Sequence, residues 1–173
     1  GFLRRVTPLL HRSAAMSAFR GLSSAASGSS EYLEFASKGP LWRSLAPRDV
    51  PSESELRVHG AAVCSWLGVE AMAPSALDVA TAKRCYELYL PVFYWCRGRL
   101  RDHEADSRKS GPLSLFVSAP QGCGKTTICD ALTALFDSEE SKRCVALSYD
   151  DVYLTFAEQE AVGALGNDLL KFR

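Results

Sequence analysis

Residues 113–127, LSLFVSAPQGCGKTT, constrain this chain more than any other stretch. LSLFVSA is a short apolar run that ends in a glycine-rich turn, the pattern of a buried parallel strand. From Ala119 the order is A-x-x-x-x-G-K-T, so Gly124, Lys125 and Thr126 match the tail of the Walker A phosphate loop, with alanine where glycine usually stands. The first position only lets the chain leave the strand, and a methyl group is tolerated there while φ stays negative. Gly122 and Gly124 carry the heavier demand, because successive N–H groups can turn inward around phosphate oxygens only where no Cβ intervenes. A helix opening at Lys125 adds its positive dipole end. This reading gives the loop Ala119, Pro120, Gln121, Gly122, Cys123, Gly124, Lys125, Thr126 and Thr127 to the phosphates of ATP. Within it, the Lys125 ammonium reaches the β- and γ-phosphates and the Thr126 hydroxyl ligates Mg²⁺.

Beyond the loop, KTTICDALTALF places Ile128, Leu132 and Leu135 at helical spacing, and DSEESKR reads as a charged loop. RCVALS, residues 143–148, is a second apolar run read as a buried strand. Strand, crossover helix and parallel strand make an α/β unit of right-handed connection. The second run ends at Tyr149-Asp150-Asp151, at the carboxyl edge of the expected sheet, where ligands bind in open α/β folds. A carboxylate there can take a proton from an attacking hydroxyl or hold Mg²⁺ through water, although paired aspartates also serve as turn residues. Thr155 and Glu158 have the spacing of a capping box and predict a last helix.

Upstream the chain reads as helical. Ser52 and Glu55 form a capping box that predicts a helix to about Leu67, with Leu56, Val63, Trp66 and Leu67 as its apolar stripe. SALD at 75–78 repeats the capping pattern and starts a longer helix, on which Cys85, Leu88, Val92 and Cys96 share a face and Pro91 introduces a kink. Tyr86, Tyr89, Phe93, Tyr94 and Trp95 are read as core aromatics packed on the sheet rather than as a ligand box. RGRLRDHEADSRKSGP, polar and mixed in charge, is the expected linker. The six cysteines form no CxxC pair and have no His at metal-ligand spacing, so zinc is not expected and core filling is.

Residues 1–30 carry Arg4, Arg5, Arg12 and Arg20 but no Asp or Glu, and are dominated by Ser and Ala, the composition of an organelle transit peptide. The alternative is a disordered tail or translated upstream sequence with Met16 as the start. Twenty acidic and twenty basic side chains give no net charge and lend a nucleic-acid partner no support. No apolar run approaches the length of about 18 residues that spans a bilayer, so no membrane helix is expected.

LPVFYWCR, FVSAPQGCGKTT and LSYDDVYLT, followed by Gln159 and NDLLKFR, together resemble the plant-type D-glycerate 3-kinases, P-loop kinases related to the phosphoribulokinase and uridine kinase group. The resemblance runs from about Leu90 to Arg173 and weakly upstream. It implies a P-loop NTPase fold, a parallel sheet in a Rossmann-like three-layer sandwich, with a helical segment over 31–110 and the first part of the kinase domain over 111–173. It further implies transfer of the γ-phosphoryl group of ATP to the 3-hydroxyl of D-glycerate, in the photorespiratory cycle of the chloroplast, by a monomer. A mitochondrial location is the alternative. By position, Asp150 acts on the acceptor hydroxyl, Asp151 is its less certain partner through Mg²⁺, and Val152 stands where phenylalanine is usual. The chain stops short of the family's substrate segment and shows two strands where a sheet of about five is usual, so the expectation is a truncated, inactive product. Rival readings are another small-molecule kinase of the group and a non-catalytic ATP-binding remnant.

Overall fold

The computed structural model describes residues 31–149 and 153–164. The arginine-rich leader 1–30 lies outside the described residues, as do Asp150, Asp151, Val152 and 165–173. In chain order the elements are α1 (Glu31–Ser37), 3₁₀ turns at Pro40–Ser44 and Pro47–Asp49, α2 (Glu53–Leu67) and a 3₁₀ turn at Pro74–Ala76. There follow α3 (Val79–Ala82), a π-helical stretch (Lys83–Tyr89), α4 (Leu90–Ala105), α5 (Lys125–Glu139) and α6 (Phe156–Gly163).

Local chemistry sets the helix starts. Ser52 Oγ accepts from the Glu55 N–H at 3.2 Å while the Ser52 N–H donates to Glu55 Oε2 at 2.8 Å, closing the expected capping box of α2. Thr155 and Glu158 close another at α6. The expected cap at Ser75 is corrected: the helix starts at Val79, and Asp78 caps it by accepting from the Ala80 and Thr81 N–H groups, both at 3.0 Å. Asp78 wins because Ser75 itself lies inside the 3₁₀ turn Pro74–Ala76, and its own N–H donates to Glu31 Oε1. Immediately before Pro91 the helix is π-helical, with the Leu90 N–H reaching five residues back to the Cys85 carbonyl. Pro91 has no N–H to close the preceding turn, and the ladder widens immediately before it.

One apolar core joins these elements. Leu56, Val63 and Cys64 of α2, Cys85, Tyr86 and Tyr89 of the π-helical stretch, Leu90, Phe93, Tyr94 and Cys96 of α4, and Ala131, Leu132, Leu135 and Phe136 of α5 are all buried. Each large side chain removed from water contributes about 1.5 to 3 kcal/mol before entropy is counted. Gly60 permits the closest approach, since a Cβ there would lie 2.8 Å from Cε1 and Cζ of Tyr86. Leu88, placed on the buried face by its spacing, is 41% exposed, because the buried face centres on the bulkier Tyr86, Tyr89 and Phe93 instead. Trp95 is likewise exposed. The core-filling reading holds for Cys64, Cys85 and Cys96, whereas Cys129 and Cys144 are half-buried and Cys123 is exposed.

Two expectations are corrected more deeply. The polar run after Cys96 is not a linker at its start: α4 continues to Ala105, and the Arg97 side chain is only 13% exposed. Neither apolar run forms a strand, and no strand is present among the described residues. Residues 113–119 and 143–148 instead carry no regular structure, with Phe116 89% and Leu147 86% exposed. A strand needs a paired neighbour and cover on its faces. The aromatics of the π-helical stretch and α4, expected to pack on the sheet, pack on helices instead, and the apolar stripe of α5 lies against α2 and those aromatics. Among the described residues no helix is long and apolar enough to cross a membrane.

Glu55 gives this packing a pH dependence. Its partial burial raises the carboxyl pKa, but the Ser52 N–H, the Arg97 guanidinium and the Ser52 hydroxyl outweigh it and bring it from 4.5 down to about 2. The native state therefore binds fewer protons than the unfolded chain, so the contribution is full above 4.5 and is lost as pH falls towards 2. Glu55→Gln is expected to lower stability near neutral pH, with the gap from wild type closing in urea titrations carried down to about pH 3. A gap of constant size over that range would contradict the assignment.

Candidate phosphate-binding site

The loop between Ala119 and Lys125 keeps its shape through backbone choices that the sequence makes legible. Gly122 and Gly124 have φ of 79° and 85°, in the left-handed region. A Cβ at either would meet nothing within 4 Å, so glycine is needed there for backbone conformation and not for space. Among the described residues the one non-glycine with positive φ is Ser141, so Ala119 sits on the negative side where its methyl group is tolerated. The Cys123 N–H donates to the Pro120 carbonyl at 3.4 Å, closing the turn.

Gly124 is the N-cap of α5 and no side chain caps that helix. The leading N–H groups of α5 thus have no side-chain acceptor, which is the condition for receiving an anion. Lys125 bends back over the loop, its Nζ donating to the Ala119 carbonyl at 2.8 Å and the Pro120 carbonyl at 2.9 Å. Gln121, Cys123, Thr126 and Thr127 are exposed around it. An open glycine loop, an uncapped helix start and one ammonium group fit a polyphosphate in charge and in shape.

The structure brings together every residue of the loop reading, Ala119 to Thr127. Asp150 and Asp151 lie outside the described residues, so no distance joins them to Lys125. Among the described residues no group of three or more His, Cys, Asp or Glu side chains gathers to hold a metal ion. Gln159, which follows the second motif, donates from Nε2 to the Leu154 carbonyl at 3.0 Å.

The far end of α5 carries a polar cluster that the sequence reading missed. Arg97 Nη1 pairs with Glu55 Oε1 at 2.8 Å and Glu140 Oε1 at 3.4 Å. His59 Nδ1 shares a buried hydrogen bond with the Tyr94 hydroxyl at 2.9 Å, and its Nε2 lies 4.0 Å from Glu139. Burial depresses the His59 pKa against the pull of Glu139, so near neutral pH this contact is a dipole beside a carboxylate rather than an ion pair. The recurrence of Phe93, Arg97 and Arg101 every four residues past Pro91 is the signal that would have extended α4 through this region. Between α2 and α5 a cavity of about 40 Å³ is lined by Ala62, Val63, Trp66, Ala131, Ala134, Leu135 and Ser138. It is far too small for a nucleotide.

No protein-family model matches the chain. It is 34% identical to the D-glycerate 3-kinase, chloroplastic, of Arabidopsis thaliana over 152 residues, covering 83% of this chain and 32% of that relative. The chain thus spans about a third of the relative's length. A match of 83% cannot be confined to the leader and the loop-bearing end, because residues outside 31–110 make up little more than half of the chain. The helical segment is part of the likeness.

Gly124→Ala is expected to destabilise the start of α5 by about 1 to 2 kcal/mol, the cost of forcing a Cβ into left-handed backbone. Ala119→Gly, at negative φ, should change phosphate affinity little. Thermal melts and titration with inorganic triphosphate check both, and equal effects at the two positions would refute the assignment of the positive-φ demand.

Proposed function

We propose that this chain, related to glycerate kinase over most of its length, carries the ATP-binding portion of an enzyme that phosphorylates D-glycerate to 3-phosphoglycerate. The observation that carries the proposal is the left-handed Gly122 and Gly124 leading into an uncapped helix that opens with Lys125. The 34% identity to a chloroplastic D-glycerate 3-kinase supports glycerate as acceptor and the chloroplast as location.

In this reading the N–H groups from Ala119 to Thr127 bind and orient the phosphate tail, and the Lys125 ammonium leaves its two carbonyl partners to meet the β- and γ-phosphates. The exposed Thr126 hydroxyl and the Asp151 carboxylate would hold Mg²⁺, which supplies charge neutralisation when bound. Asp150 takes the proton of the 3-hydroxyl as its oxygen bonds to the γ-phosphorus, and the bond to the bridging oxygen breaks to leave ADP. Phosphoryl transfer needs position and charge more than covalent help, which is why so few side chains carry it.

The chain spans a third of its relative, and the apolar segments beside the loop lie exposed. In this proposal the loop of these 173 residues binds nucleotide, and glycerate turnover belongs to the enzyme as a whole. Another acceptor, such as a nucleoside or pantothenate, and a binding role without turnover are the rival readings. Both are separated from the first by assaying each acceptor in the longer enzyme.

Lys125→Ala should weaken ATP binding by about 1.5 to 3 kcal/mol, roughly ten- to a hundredfold in Kd. Calorimetric titration of this chain measures it, and an unchanged Kd would remove Lys125 from the site. Asp150→Asn in the longer enzyme should abolish turnover while leaving ATP affinity nearly intact. A loss of affinity without a loss of the chemical step would instead give Asp150 a metal-holding role.

A further inference from the structure

The motif LPVFYWCR, residues 90–97, has no part in the phosphate site, yet it holds the helix that carries that site. Steps of three and four residues put Leu90, Phe93, Tyr94 and Arg97 on one face of α4. Leu90, Phe93 and Tyr94 are fully buried. The Phe93 ring meets Phe136 of α5 at 5.1 Å, edge to face, and His59 of α2 at 5.2 Å. One turn on, the Arg97 guanidinium lies 4.9 Å from the Tyr94 ring centre and spans Glu55, at the start of α2, and Glu140, at the end of α5. Three helices converge on one side chain.

From this geometry we infer that Arg97 is a positioning residue for the phosphate loop, acting through Glu140 on the orientation of α5. The inference rests on the reading of residues 119–127 as the phosphate site. Helix α5 has fifteen residues and is therefore about 22 Å long. Its fully buried contacts, Ala131, Leu132, Leu135 and Phe136, begin at its seventh residue, while in the first turn, from which the loop hangs, Thr126 and Thr127 are exposed and Ile128 is only half-buried against the core. A helix held from Ala131 onward acts as a lever whose free arm of six residues is about 9 Å long, and a tilt of about 5° moves its tip by about 0.8 Å. Displacements of that size are large on the scale at which phosphoryl transfer depends on alignment.

Two arms separate this role from general stability. The pair with Glu55 belongs to the capping box of α2, whereas the pair with Glu140 reaches α5 alone. Glu140→Gln therefore loosens the lever while leaving the other arm in place. Arg97→Lys keeps the charge but loses the planar guanidinium that lies over the Tyr94 ring and so aims Nη1 at both carboxylates.

The test is hydrogen exchange on the ligand-free chain, followed by ATP titration, for wild type, Glu140→Gln, Arg97→Lys and the control Lys142→Gln. The control breaks the surface pair of Lys142 with Glu104 and no contact of Arg97. Both test variants should speed exchange of the hydrogen-bonded amides of residues 128–131 by about three- to tenfold and weaken ATP binding by a similar factor, within the range of coupling between neighbouring side chains. The control should do neither, and amides of residues 56–64 should keep their protection in Glu140→Gln. Unchanged exchange at 128–131 in Glu140→Gln and Arg97→Lys, or the same acceleration in the control, overturns the inference whether or not ATP binds. A wild-type chain that shows the exchange pattern but takes no ATP supports the lever and overturns the nucleotide reading alone.

Discussion

The edge-to-face meeting of Phe93 and Phe136 is where the two halves of the described chain become one body. Phe136 is the last buried residue of the α5 stripe, and Phe93 stands at the centre of the aromatic face of α4. Together with the packing of α5 on α2, that contact covers the apolar side of the helix that carries the glycine loop, and short helices do not persist in water on propensity alone. Everything proposed for the loop therefore depends on a core formed some thirty residues earlier in the chain. The helical segment supplies the surface that α5 covers.

Features decided within a few residues were legible in the sequence. The capping boxes at Ser52 and Thr155 depend on a side chain and an N–H three positions apart, and both formed as read. The left-handed glycines of the loop are equally local, since the φ demand acts on the residue itself. Asp78 displaced Ser75 as a cap only because Ser75 itself lies inside a 3₁₀ turn, a competition among neighbours that spacing alone does not rank.

Features decided by distant partners were not legible. Arg97 meets acids 42 positions before it and 43 after it, and nothing in a polar, mixed-charge run distinguishes such an arginine from a solvated one. The apolar runs at 113–119 and 143–148 have the composition of strands, but a strand exists only in the company of another. The α5 stripe found its cover in the helical segment, and these runs stayed exposed. Of the residues singled out in the sequence, Ala119 to Thr127 lie among the described residues and Asp150 and Asp151 fall outside them.

The separation of Phe93 from Phe136 also has a meaning in time. A ribosome delivers α4 first, and roughly forty further residues must follow before the opposing ring is available, about two to eight seconds at ordinary rates of synthesis. For that interval the aromatic face of α4 is a nascent-chain surface without its lid. Sticky intermediates at this stage, rather than any weakness of the finished core, set the step at which a chaperone would be most useful.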